Sequence, residues 1–395
     1  MVTRLSGGLT PADGADPRTF PAIWNDTADV VEAQGTAVTG LQSDVTANGT
    51  AIAGLEADSI PTDVSSPVSG DSLVYDGSNW VNGPRSGNAI INGDFGVWQR
   101  GTSFSGPSAG YTADRWNDES SGGTLSITRE AFSPGDIEAI GYGDAEYFLR
   151  TSRSGGNFVR LVQRIEDVRT FAGQQVTLSF WARVGSGTAT NTIRLNQEFG
   201  SGGSSSVSGT FPDITLTTDW QRFVQTITLS SVAGKTIGSG SHLDLQVIRQ
   251  IDAVGHDIDL WGVQLEAGPV ATPFRLAGGG SKAAELALCQ RYYYKVTTDA
   301  AFRYIGTGFY ESSSSMLIYH HFPVTMRIVP TLEATSGTNY YRLRPADYVD
   351  SISSTGTTLN AGGFFNNTQA SGTPGNAGRF TTESSSASVA WRAEL

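Results

Sequence analysis

The chain has a single cysteine, Cys289, so no disulfide can form within it and no cysteine metal cluster is available. Charge is scarce: charged residues make up 16%, against about 25% in an ordinary globular protein. The charge leans acidic, at −12 overall, which argues against a sequence-independent grip on nucleic acid. No run of 18 apolar residues occurs, so no membrane insertion is expected. The opening MVTRLSGGLTPADG has one arginine and no apolar core and does not read as a signal peptide; folding in a bacterial-type cytoplasm is expected. Glycine, by contrast, is abundant at 48 residues, and Ser and Thr crowd many segments. Such a composition favours strands joined by tight turns. Hydrophobic residues at 38% can fill real cores, and 395 residues allow two or three domains.

Residues 1–23 hold Pro11, Pro17 and Pro21 and cannot form a helix or a regular strand. With the scattered apolar anchors Leu5, Leu9, Phe20 and Ile23, followed by Trp24, they read as an extended peptide that docks into something else; the alternative is a disordered tail. Residues 24–60 carry a heptad and are expected to form a coiled coil. Trp24, Val31, Val38, Val45 and Ile52 occupy a, and Thr27, Gln34, Leu41, Asn48 and Leu55 occupy d. The β-branched a positions suit dimers or trimers, and polar d positions set register at a cost in stability. Gly35, Gly40, Gly49 and Gly54 each cost up to ~1 kcal/mol relative to alanine, so this helix should not hold alone. Residues 61–86 contain SLVYDGSNWVNG, a hairpin expected to form a small collar.

Residues 87–276 are a series of short alternating runs. In QVTLSFWARV, Val176, Leu178, Phe180 and Ala182 share one face, and Trp181 and Arg183 lie on the other. In FVRLVQRIED, Val159, Leu161 and Ile165 point one way and Arg160, Val162 and Arg164 the other. In NTIRLNQEF, Arg194 opposes Ile193 and Leu195. Polar, glycine-rich turns separate the runs, the pattern of a jelly-roll β-sandwich. Residues 277–395 begin with a glycine run expected to act as a hinge, then a short helix in SKAAELALCQ, then short strands of a smaller C-terminal β domain.

Catalytic patterns are weak. GPSAG, Gly106–Gly110, formally matches a nucleophile elbow but lacks the strand before and the helix after it. Adjacent His320 and His321 on a strand point to opposite faces and cannot jointly hold one metal. Asp257 and Asp259 are the closest carboxylate pair for glycoside hydrolysis, against turn capping and edge solvation. No catalytic residue, metal site or cofactor is expected.

LTPADGADPRTFPAIWNDTADVVEA resembles the virion-attachment end of tail-fibre proteins from marine phages, including those of cyanobacteria. NAIINGDFGVWQRG, YTADRW, LSFWAR and LWGVQLEAGPVATPF resemble the carbohydrate-binding-module-like jelly roll of such fibres, and ELALCQRYYYKV, FPVTMRIVPTLEA and WRAEL their distal part. The resemblance covers nearly the whole chain. It implies a mainly β, elongated homotrimer located in the virion and made in the host cytoplasm, with a C-terminal receptor-binding tip. Leu5, Leu9, Phe20, Ile23 and Trp24 would then contact virion tail proteins. Val31, Val38, Leu41, Val45, Asn48, Ile52 and Leu55 would face the trimer axis. The resemblance also allows a structural cation at Asp94 and Asp259, but edge-strand solvation and turn capping are the preferred reading of these two residues.

The sequence shows no parallel β-helix repeats of the kind a depolymerase tailspike requires, so a binding role rather than an enzymatic one is expected. Trp181 with Arg183, Arg160, Arg164 and Arg194 could stack on and hydrogen-bond a pyranose or its acidic groups of host cell-surface polysaccharide. The alternative is that this surface packs on a neighbouring subunit or a covering loop. Two other functions stay open: a structural head fibre or tail decoration that binds only virion components, and a polysaccharide-degrading tailspike.

Overall fold

The computed structural model describes residues 32–46, 62–63, 72–75, 80–83, 87–106, 110–156, 158–250, 255–297, 300–344 and 347–395. Leu5, Leu9, Phe20, Ile23, Trp24, Val31, Asn48, Ile52 and Leu55 lie outside them. Helix α1 (32–46) falls inside the heptad region. Its threonines bond back along the helix, as Thr39 Oγ1 does to the Gly35 carbonyl at 2.9 Å. Val38, Leu41 and Val45 follow the 3–4 spacing that places them on one face, and they are 54, 64 and 71% exposed. Strands β1 (Thr62–Asp63), β2 (Ser72–Tyr75) and β3 (Trp80–Gly83) occupy the collar region, with β1 pairing parallel to β3.

Two six-stranded antiparallel sheets form a jelly-roll-type sandwich. The first runs β15 (Gln221–Thr228), β10 (Gln175–Val184), β17 (Asp257–Ala267), β8 (Tyr147–Ser154), β7 (Thr124–Ala131) and β4 (Ser103–Gly106). The second runs β13 (Val207–Thr210), β12 (Arg194–Glu198), β16 (His242–Gln250), β9 (Phe158–Glu166), β6 (Trp116–Ser121) and β5 (Gly110–Tyr111). A separate two-stranded ribbon is formed by β11 (Ala189–Asn191) and β14 (Ile214–Leu216). The period-two pattern supplies the core: Val176, Leu178, Phe180 and Ala182 of β10 face Leu161, Leu195 and Leu245 of the other sheet.

The C-terminal part of the chain builds a second core within the same compact unit. Helix α3 (Lys282–Gln290) leads into β18 (Tyr293–Lys295), which pairs with β27 (Val389–Arg392), itself paired with β21 (Thr331–Ala334). A seven-stranded sheet follows the order β23 (Asp347–Val349), β22 (Tyr341–Arg344), β26 (Ala377–Thr382), β19 (Tyr304–Ser312), β20 (Ser315–His321), β25 (Ala361–Asn366) and β24 (Ser353–Thr355).

The glycine run before α3, expected to be a hinge, is a fixed turn. Glu285, 1% exposed, accepts the Gly278 amide at 2.7 Å and the Asn92 amide at 2.5 Å, tying α3 to the start of the sandwich. The chain end also returns to the sandwich. Glu394 meets Arg100 at 3.2 Å and Arg115 in a short ion pair, and Arg115 is 1% exposed. The tyrosines of RYYYK complete the joint: Tyr292 stacks under Arg115 and Tyr293 under Arg100, each 3.5 Å from guanidinium carbon to ring centroid.

Candidate functional site

The five candidate ligand residues do not come together. Trp181 and Arg183 sit on β10 of the first sheet; Arg160 and Arg164 on β9, and Arg194 on β12, belong to the second. In a sandwich the outer faces of the two sheets look in opposite directions.

On the first sheet the outer face is covered. Trp181 points away from the main core, as its parity requires, but packs into a second aromatic cluster with Phe148, Trp220 and Trp261 and is 6% exposed. The cover is α2 (Pro134–Ile140) with the following loop and Phe274. Ser133 and Asp136 form the capping box that starts this helix. Arg183 is also committed, to Asp136 at 2.6 Å and to Asp259 at 2.8 Å. The covering-loop alternative is therefore the arrangement found for Trp181.

Asp259, 1% exposed, is gripped from both sides. Arg150 binds it in a two-pronged pair at 2.6 and 2.8 Å, and Arg183 takes a further bond. A carboxylate so occupied is a structural anion, not a free base or nucleophile. Among the described residues no group of three or more His, Cys, Asp or Glu side chains is placed to hold a metal. His320 and His321 do face opposite sides of β20. His320 is boxed by Tyr294, Phe322 and Phe364, and burial pushes its pKa down to about 4.

A cavity of about 570 Å³ lies beside the aromatic cluster, with Trp98, Tyr142, Tyr147, Trp261 and Phe274 among its walls. Among the described residues, the Trp261 Nε1 has no hydrogen-bond partner.

The outer face of the second sheet is different. Core-facing Leu161, Leu245 and Leu195 put Val162, Gln246 and Arg194 outside, in one cross-strand row that ends at Asn117. The neighbouring row runs Arg249, Arg160, Glu119, and on the other side stand Asn196, Asp244 and Arg164. From β13 to β6 this face is about 19 Å wide, at ~4.8 Å per strand. Val162, Gln246 and Asp244 form its floor at 0, 3 and 8% exposure, beneath the longer arginine arms.

Arg160 pairs with Glu119 at 2.7 Å; Arg164 is held by Glu119 at 3.1 Å and by the Leu395 carbonyl at 2.8 Å. Among the described residues, neither Arg194 nor Arg249 has an ion pair or a side-chain hydrogen bond, and the Arg194 Nε and Gln246 Oε1 are buried without partners. Burial, then the charges of Arg194 and Arg160, hold the Arg249 pKa below the usual arginine value.

Arg249 is absent from the sequence-derived set for a geometric reason. Strict alternation from Asp244 and Gln246 would turn Ile248 outward and Arg249 inward. A register shift between Gln246 and Ile248 reverses this, burying Ile248 and turning Arg249 out.

No family model matches the chain, and no curated protein matches it. Solved structures that match include carbohydrate-binding modules of jelly-roll fold. The family 22 module at the C-terminus of Clostridium thermocellum Xyn10B aligns at 15% identity and TM-score 0.29, over 41% of this chain and 91% of that one. A family 11 module from Clostridium thermocellum, solved with a β-1,3-1,4-mixed-linked tetrasaccharide, aligns at 10% identity and TM-score 0.28, over 43% and 97%. The enzymatically active domain of bacteriophage CBA120 tailspike protein 4 aligns at 14% identity and TM-score 0.27, over 48% of this chain but 23% of its own. At such scores the ligand of this chain has to be argued from its own side chains.

Proposed function

We propose that this protein is a non-catalytic trimeric phage tail fibre that binds host cell-surface polysaccharide through the outer face of its second sheet. The observation that carries the binding site is the polar floor and arginine rim on that face, where Gln246 Oε1 and the Arg194 Nε are buried with no partner. Unpaired buried polar groups are costly, and sugar hydroxyls both donate and accept hydrogen bonds. The tail-fibre assignment rests on the order of the resembling segments, and the trimer on the heptad, whose Val38, Leu41 and Val45 are exposed. The N-terminal peptide would hold the virion, and three weak sites would act together in adsorption. A hydrolytic role for Asp257 and Asp259 is disfavoured by the two guanidinium groups on Asp259.

The test is binding of the full chain to a panel of bacterial surface polysaccharides, with competition for host adsorption. Binding to a panel member, lost on Gln246→Leu, supports the reading. An absence of binding across the panel, together with adsorption that the protein does not compete, refutes it in favour of a purely structural fibre.

A further inference from the structure

We infer that the sugar chain recognised by this face is anionic, carrying uronate carboxylates or sulfate esters, with the anion held between Arg194 and Arg249. The inference rests on the reading of this face as the glycan surface and specifies its ligand.

Arg249 and Arg160 are directly opposed across β16 and β9. Arg194 lies diagonal to Arg249: the Thr192 amide bonds the Arg249 carbonyl at 3.4 Å, and Arg194 is the next residue on the same side of that strand. Like charges opposed on a sheet are destabilising. Glu119 offsets Arg160, whereas no carboxylate pairs with Arg249 or Arg194 among the described residues. Asp213 is close enough to act on Arg249 through its charge but forms no ion pair with it. This concentration of positive charge stands out in a chain of net charge −12, which would otherwise repel polyanions.

A guanidinium presents a planar fork that matches a carboxylate or sulfate. Beneath the anion lies the Gln246 side chain, its Oε1 buried without a partner among the described residues and its Nε2 donated to Asp244 at 2.8 Å. A neutral glycan would leave both guanidiniums unpaired.

The experiment measures binding of the full chain to polygalacturonate, alginate and dextran sulfate, and to neutral dextran and galactan, at two ionic strengths. Variants are Arg194→Gln, Arg249→Gln, Arg194→Lys, the face control Gln246→Leu, and the off-face control Arg169→Gln, an exposed loop residue. The expected result is preference for at least one acidic polymer, weakened by added salt and weakened roughly tenfold by each Arg→Gln change. Arg194→Lys should keep part of the affinity, and Arg169→Gln all of it. Equal binding of neutral polymers, lost on Gln246→Leu but indifferent to Arg194→Gln and Arg249→Gln, would overturn the anionic ligand while leaving the face as the glycan site. Acidic binding equally reduced by Arg169→Gln would reveal non-specific ion exchange and also overturn it. Failure of every polymer and of Gln246-dependent binding in the wider panel would remove both readings.

Discussion

Glu394→Ala should undock the end of the chain from the sandwich. Glu394 is the anion facing Arg115 and Arg100, whose side chains are 1 and 9% exposed. Without it, Arg115 keeps a hydrogen bond to the Arg164 carbonyl at 2.5 Å and the Tyr292 ring, but no counter-charge within an ion pair. Removing one partner of a buried pair typically costs about 3–5 kcal/mol, because the other charge stays desolvated. That corresponds to a docking equilibrium weaker by roughly a hundred- to several-thousand-fold. Hydrogen exchange is the direct assay. The Ala393 amide, bonded to the Tyr292 carbonyl at 2.7 Å, and the Arg327 amide, bonded to the Arg291 carbonyl at 2.9 Å, should lose protection. Core amides of β10 and β17 should keep theirs. Combining Arg115→Met with Glu394→Met should restore much of the protection, since apolar pairs often replace buried ion pairs at little cost. Unchanged exchange at Ala393 in Glu394→Ala would refute the idea that this ion pair holds the joint.

Gly262→Ala should lower the melting temperature by several degrees in a thermal scan, because Gly262 has φ +65° and a Cβ there would lie 2.9 Å from the Trp181 ring; an unchanged melt would mean that Trp181 and the Gly262 backbone relax freely. Asp118 is 4% exposed, and burial, reinforced by Glu119, pushes its pKa up to about 7. Its raised value makes the folded state prefer the protonated acid, so its contribution is whole below about pH 4 and is lost as pH rises through 7. Asp118→Asn should therefore stabilise the protein at pH 8 and not at pH 4 in denaturant titrations, and equal effects at both would contradict the assignment. For the heptad, sedimentation of the full chain should give a trimer mass at micromolar concentration, reduced by Leu41→Asp; a monomer in the parent protein would remove the coiled-coil reading.

The sandwich is legible in the sequence because its strands keep period two through long stretches, so that alternation alone sets Leu178, Phe180 and Ala182 inward. The same parity correctly turns Trp181 out of the main core, but parity cannot say what lies over an outer face. The cover is written in the Ser133-Pro-Gly-Asp136 segment, whose capping box begins α2. Parity also cannot assign a strand to a sheet, which is why alternation groups Arg183 with Arg160 although they look in opposite directions. Arg249 depends on the one-residue irregularity in β16, a tertiary feature with no local sequence signal. The docked chain end depends on contacts between residues almost 300 apart, such as Arg100 with Glu394, which no periodicity can show.

The most direct test of the glycan-binding face is a hydrogen-exchange footprint of the full chain with the best-binding polysaccharide of the panel. Protection should rise in peptides covering 160–166, 194–198 and 242–250, and the gain should vanish in Gln246→Leu. Protection confined to the C-terminal sheet at 315–321 and 361–366, with the second sheet unchanged, would contradict the account.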